Sequence, residues 1–378
     1  MNETFLSWLS RNVKEDHTQS RQRQLRLPDP HLLAFCDNDY LGLSRHPALL
    51  SAAVASLSDE ARLGAGAARL ISGHHPAHQE LEHSLAAYKQ TQAALVFPTG
   101  YAAATGCLPA LLEAGDTVIL DKLAHACLID GAKLSGARFR VFPHNDLNAL
   151  ENLLKAYQNE SGKRLIVVES LYSMDGDFAP LPELVTLKER FGACLMVDEA
   201  HASGLYGSQG RGLVAELGLT ERVEVQMGTL SKAVGCSGGF IAGSADLIQL
   251  LLNRARSFLF TTGTPPLLAA AASAALQIIQ SEEGAQLRKK LFSNIDQFHS
   301  SDLPPAFRVQ KRNSPIIPLH IGPEDQALQH SLRLQEQGFL LPAIRHPTVA
   351  RGSARLRLTL NSTHDAAEIQ RLIQALHN

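Results

Sequence analysis

CLMVDEAH, residues 194–201, sets an unbroken apolar run against two acids and a histidine. Apolar residues in direct succession describe a strand buried on both faces rather than one side of an amphipathic element. In an open α/β sheet, ligands gather beyond the carboxyl ends of the strands, so Asp198, Glu199 and His201 fall where chemistry is done. A carboxylate there is costly to bury unless a positive partner meets it.

Outward from this run the same rhythm repeats. ALVF (94–97), TVIL (117–120), FRVF (139–142), RLIVVE (164–169) and VEVQMG (223–228) are short apolar runs, each followed by a turn and a helix-like segment such as LNALENLLKAYQ or LPELVTLKERFG. That alternation predicts a βα sheet of mostly parallel strands. The Ala-rich PPLLAAAASAALQII (265–279) is shorter than the roughly 20 apolar residues of a membrane span and predicts a buried or interface helix. Beyond it, SPIIPLHI (314–321) and ARLRLTL (354–360) read as strands, and QALQHSLRLQEQG and DAAEIQRLIQALH as helices. Three regions are expected: 1–45 packing on the others, a large α/β domain over 46–280, and a small α+β domain over 281–378.

Composition narrows the function. With 378 residues and 45% of them hydrophobic, the chain can bury a large core, and a formal net charge of −2 offers no global field for nucleic acid or an anionic membrane. Five scattered cysteines without a C-x-x-C pair argue against a zinc ribbon or a disulfide framework. The opening MNETFLSWLSRNVKED meets charges too soon for a secretion signal, so a cytoplasmic location is the expectation. His74, His75 and His78 lack an acid or thiol spaced to complete a metal site, and no metal is expected.

Two further units carry chemistry. MGTLSKAVGCSGG (227–239) puts Lys232 in a Gly- and Ser-rich turn beyond a strand, where a desolvated amine becomes an imine-forming nucleophile. Thr229 and Ser231 flank it with hydroxyls suited to a phosphate. In ALVFPTGYAAATG (94–106), Gly100 and Tyr101 open a helix whose free N–H groups favour an anion. Asp-Glu-Ala-His alone also matches the metal-binding box of a helicase-type NTPase, but no G-x-x-x-x-G-K-[ST] phosphate loop accompanies it.

Taken in order, CDNDYLGL (36–43), GAGAARLISG (64–73), LAHACLIDGA (123–132), ESLYSMDGD (169–177), DEAHASGLYGSQGRG (198–212), GTLSKAVGCSGG (228–239), FTTGTPP (260–266) and RLRLTL (355–360) resemble the α-oxoamine synthases. These are a branch of the aspartate-aminotransferase-like, fold type I pyridoxal-phosphate enzymes, with a large mostly parallel α/β/α domain and a smaller α+β C-terminal domain. The resemblance implies that Lys232 carries pyridoxal 5'-phosphate as a Schiff base, that Asp198 pairs with the pyridinium nitrogen, and that His125 lies over the ring. It implies that Ser173 and His201 reach the ring oxygen or the substrate carbonyl, that Glu169 orders that wall, and that Thr229 with the N–H groups of Gly100 and Tyr101 takes the phosphate. Thr262 matches a position that serves the neighbouring subunit, which implies a homodimer with shared active sites. Arg357, with Asn38 beside it, matches the arginine that grips the amino acid's carboxylate, a bidentate task suited to a planar guanidinium. Arg21, in the basic run RQRQLR (21–26), is a candidate for the phosphates of coenzyme A.

The implied reaction is decarboxylative acyl transfer from a thioester to an amino acid. The loop LPAIRHPTVARGSARLRLTL (341–360) resembles the members that join L-alanine to a pimeloyl thioester of coenzyme A or of a carrier protein, giving 8-amino-7-oxononanoate, and there Arg345 would read the distal carboxylate. Glycine-using members such as the glycine C-acetyltransferases, which more often have an aromatic residue at that position, are the alternative; a DEAH-type NTPase is the remote one.

Overall fold

The fold is seen in a computed structural model that describes residues 4–18, 25, 27, 29–60, 63–307 and 309–377. The apolar runs form a seven-stranded sheet of β1 (Ala93–Phe97), β2 (Thr117–Asp121), β3 (Arg138–Phe142), β4 (Arg164–Glu169), β5 (Cys194–Asp198), β6 (Val225–Thr229) and β7 (Gly239–Gly243), in the order β1-β7-β6-β5-β4-β2-β3. β7 pairs antiparallel with both β1 and β6, so six strands share one direction. Sequence reasoning missed β7: its GFIAG is bounded by glycines and merges with the Gly-rich turn before it.

Side chains alternate along these strands, and both faces are covered. Leu165 and Val167, Met196, and Val225 and Met227 pack on one face with Ala103, Cys107 and Leu128 of the helices Gly100–Leu111 and Ala126–Leu134. Ile166, Val168, Leu195 and Val197 pack on the other with Leu150, Leu184 and Val185 of the helices Leu147–Tyr157 and Leu181–Arg190. Continuing that alternation by one step puts the last residues of β4, β5 and β6, namely Glu169, Asp198 and Thr229, on the first face at the carboxyl edge of the sheet.

A second sheet holds β8 (Ile316–Gly322), β9 (Ala343–Ile344) and β10 (Ala354–Thr359), antiparallel in the order β9-β10-β8. Leu356 and Leu358 of β10 enter a core shared with the helix Pro266–Gln280, while the buried Arg355 and Arg357 alternate with them. The segment from Leu33 runs alongside: Leu33–Ala34 pairs in parallel with Phe339–Leu340, the Thr359 N–H donates to Phe35 O at 2.8 Å, and the Ser362 N–H donates to Tyr40 O at 2.9 Å. These contacts bring Asn38 and Tyr40 against β10. Among the described residues, no helix is long and apolar enough to cross a membrane.

Candidate active site

Beyond the carboxyl ends of β4, β5 and β6 lies a cavity of about 230 Å³, lined by Thr99, Gly100, Tyr101, His125, Glu169, Asp198, His201, Thr229, Ser231 and Lys232, with Cys127, Ala200 and Met227. Its phosphate-sized end is built from backbone. Thr99 caps the helix Gly100–Leu111 by accepting from the Ala102 N–H, and the first-turn N–H groups of Gly100 and Tyr101 have no acceptor within the helix. Gly239 makes this possible: a Cβ there would stand 2.5 Å from Gly100 Cα, so only glycine lets β7 pass so close. The Thr229 hydroxyl donates to Gly238 O at 2.9 Å and lies 2.8 Å from Ser231 Oγ, which fixes both hydroxyls at the same end.

At the other end stand a buried acid and a half-buried amine that do not form an ion pair with each other. Asp198 Oδ1 accepts from the Ala200 N–H at 2.8 Å, and burial raises its pKa against the opposing charge of Lys232. Lys232 Nζ lies 2.8 Å from His201 Nε2, and burial lowers its pKa although Asp198 and Glu169 oppose that shift. Glu169 accepts from the Ser173 N–H at 3.1 Å through Oε2, its Oε1 has no partner, and burial and the charge of Asp198 raise its pKa. Burial lowers the pKa of His125, whose Nδ1 accepts from the Cys127 N–H at 3.3 Å and lies 2.9 Å from Cys127 Sγ.

On the far wall, Arg357 donates through Nε to Ser173 O at 2.6 Å and through Nη2 to Asn38 Oδ1 at 3.1 Å. The Tyr40 hydroxyl lies 3.1 Å from Asn38 Oδ1 and 2.7 Å from His201 Nδ1. Sequence reasoning singled out Asn38 in CDNDYLGL but missed Tyr40, two residues along the same motif. Ser173 is engaged here through its backbone rather than as a hydroxyl.

Other residues singled out in the sequence have their own surroundings. Glu199, read beside Asp198 as chemical, points to the opposite side of the sheet: its carboxylate pairs with the buried Lys89 and accepts from the Val214 N–H at 2.9 Å. Thr262 is exposed, bridges to Ala68, and lies outside the cavity of its own chain. Arg345 follows β9 in the loop with the cis His346–Pro347 bond, also outside the cavity lining. Tyr101 lines the cavity, while its side chain is half exposed and its hydroxyl donates to Asp130. The three clustered histidines serve the local fold: His75 caps the helix Pro76–Lys89, His78 Nε2 donates to Thr264 O at 2.8 Å, and His74 Nδ1 accepts from Arg69. Arg21 lies outside the described residues.

This cavity suits a flat ring that carries a phosphate at one end, a basic nitrogen at the other and a group reactive toward an amine between them. The comparisons agree. The class I and II aminotransferase model matches residues 30–376. An 8-amino-7-oxononanoate synthase of Geobacter sulfurreducens is 45% identical over 345 residues, 91% of this chain and 88% of the relative. Serine palmitoyltransferase from S. paucimobilis, solved with a bound PLP-myriocin aldimine, superposes with a TM-score of 0.91 at 26% identity, covering 99% of this chain and 98% of that one. The 8-amino-7-oxononanoate synthase of Francisella tularensis superposes with a TM-score of 0.77 at 26% identity over 92% of this chain and 97% of that one. The chain belongs to the class I and II aminotransferase family and, within it, to the family of the 8-amino-7-oxononanoate synthases.

Proposed function

We propose that the chain is a pyridoxal-phosphate-dependent acyltransferase that condenses L-alanine with a pimeloyl thioester to give 8-amino-7-oxononanoate. The observation that carries this reading is the half-buried Lys232 amine, held 2.8 Å from His201 and without an ion pair to the buried Asp198 across the cavity. A buried acid and a half-buried amine that face the same space without pairing are costly to keep there; the Glu169 oxygen without a partner adds to that cost. A ring with a protonated nitrogen for Asp198 and an aldehyde for Lys232 removes both penalties, so the residues fit the cofactor.

Lys232 would hold the cofactor and Asp198 its ring nitrogen; Thr229, Ser231 and the N–H groups of Gly100 and Tyr101 would hold its phosphate, and His125 would cover the ring. When bound, the cofactor supplies an electron-poor ring that takes up the charge left as bonds to the amino acid's α-carbon break. Arg357 and Asn38 orient the substrate carboxylate, which places the α-hydrogen toward Lys232. Burial lowers the pKa of the lysine, which favours the free amine that acts as the base. Over the whole reaction the α-carbon to acyl bond forms, the thioester C–S bond breaks, and the carboxylate leaves as carbon dioxide. Thr262 completes the site of a second subunit in a cytoplasmic homodimer, and Arg345 reads the distal carboxylate of the acyl chain.

The test is to reconstitute the purified chain with pyridoxal 5'-phosphate, trap with borohydride and map the modified peptide, then assay L-alanine against glycine with pimeloyl-CoA and acetyl-CoA. Modification of Lys232 and 8-amino-7-oxononanoate from alanine and pimeloyl-CoA are expected. Modification with preference for glycine and acetyl-CoA would move the chain to the glycine C-acetyltransferase reaction. No modification of Lys232 would overturn the reading.

A further inference from the structure

We propose that Tyr40 is a positioning residue that fixes His201 in the tautomer with its proton on Nδ1, so that an imidazole lone pair faces Lys232. The inference rests on the function proposed above, but its argument is a count of hydrogens. Tyr40 is wholly buried, with its oxygen 3.1 Å from Asn38 Oδ1 and 2.7 Å from His201 Nδ1. Asn38 Oδ1 can only accept, and it already receives one hydrogen from Arg357 Nη2 at 3.1 Å. The Tyr40 hydroxyl has a single hydrogen. Given to Asn38, it leaves the Tyr40 oxygen as an acceptor, so Nδ1 of His201 must be the donor. Nε2 is then the lone pair, and Lys232 Nζ at 2.8 Å donates to it.

In this arrangement every polar contact from Lys232 to Arg357 has one hydrogen and one acceptor. The opposite tautomer leaves the oxygens of Tyr40 and Asn38 facing each other with no hydrogen between them, and turns an N–H toward the lysine. An imidazolium is disfavoured as well. Burial holds the His201 pKa well below its ordinary value, and the charges of Lys232, Arg357 and His125 press it the same way. Among the described residues the imidazole's side-chain partners are Tyr40 and Lys232, and a neutral amine can either donate to Nε2 or accept from it, so the choice of tautomer falls to Tyr40.

The consequence is directional. The contact at 2.8 Å aims the Lys232 amine: the Nε2 lone pair accepts an N–H of the amine, with the Nδ1–H still held by Tyr40. Without the hydroxyl, the tautomer that turns an N–H toward the lysine becomes populated.

The experiment is Tyr40→Phe, which keeps the ring and removes the hydroxyl. Long-range 1H–15N correlations of His201, assigned by their loss in His201→Asn, are recorded on the cofactor-free full chain. Wild type is expected to show a protonated Nδ1 and a bare Nε2, and Tyr40→Phe a mixture or the reverse. A protonated Nε2 in wild type, or a tautomer unchanged in Tyr40→Phe, would overturn the proposal whether or not the chain makes 8-amino-7-oxononanoate. In the loaded enzyme, kcat should fall by roughly ten-fold or more while KM for alanine holds. A rise in KM alone would instead mean that Tyr40 merely props Asn38 and Arg357, which also overturns it. A matched thermal midpoint, or Tyr40→Trp should Tyr40→Phe fail to fold, keeps the tautomer readout interpretable.

Discussion

Two adjacent buried acids, Asp198 and Glu199, each face a lysine, and the molecule uses the two pairs in opposite ways. Lys89 and Glu199 touch directly on the far side of the sheet. Lys89 Nζ also donates to Arg211 O at 2.6 Å, and Glu199 Oε1 accepts from the Val214 N–H at 2.9 Å. A Cβ on Gly212, at φ +111°, would lie 2.4 Å from the Glu199 carboxylate, so the pair is sealed on that side by backbone. Asp198 is buried and Lys232 half-buried, and the two do not meet; among the described residues their side chains hydrogen-bond His201 on one side and the Ala200 N–H on the other. A closed pair holds the fold, and an open one stores unmet charge for a ligand.

The sharpest way to break this contrast is to remove each lysine. Lys232→Ala should lower kcat by at least about 10⁴-fold. It should leave the urea midpoint of the cofactor-free protein nearly unchanged, because no ion pair is lost. Lys89→Met strands a buried carboxylate and should cost about 3–5 kcal/mol of unfolding free energy, partly recovered in Lys89→Met/Glu199→Gln, while the folded fraction keeps its kcat. Stability loss in Lys232→Ala, or a stable but inactive Lys89→Met, would dissolve the distinction.

Asp198→Asn probes the open pair from the acid side. The neutral amide keeps the shape and can still accept from the Ala200 N–H, but it no longer favours a proton on a facing ring nitrogen. Activity should fall by about a hundred-fold or more, with weaker cofactor retention on gel filtration. Activity within a few-fold of wild type would mean that Asp198 does not meet a ring nitrogen.

Much of this was legible in the sequence, and the failures share a cause. Contiguous apolar runs announce strands buried on both faces, so six of the seven strands and the residues at their ends could be placed. Lys232 could be placed for the same reason. Which of two adjacent acids enters the cavity depends on which face of the sheet each helix covers, and the sequence does not number the faces. β7 escaped because GFIAG, flanked by glycine, has the composition of a turn. Tyr40 escaped because its partner His201 is 161 residues away, and a tyrosine inside an apolar motif reads as core until the imidazole is seen against it. Thr262 could be recognised only by resemblance; nothing in one chain brings it to the cavity.

His144 stands between the two cases and gives the smallest and most pH-sensitive effect. Its Nδ1 lies 2.9 Å from Asp121 Oδ1 and its Nε2 2.8 Å from Asp177 Oδ2, on the edge of the sheet that carries Tyr172 beside Ser173. Burial alone would lower its pKa, but the hydrogen bonds to the two aspartates override that and raise it to about 10. A histidine whose folded pKa lies above its unfolded one stabilises fully below the unfolded value, here about 6.5, and loses that contribution as pH rises through about 10. The thermal midpoint of wild type should therefore fall relative to His144→Gln across that interval, with the two curves converging at its alkaline end. A difference that stays constant with pH would mean that the neutral imidazole makes the same contacts, and that this site belongs with the uncharged packing around Tyr172 rather than with the closed ion pair at Lys89.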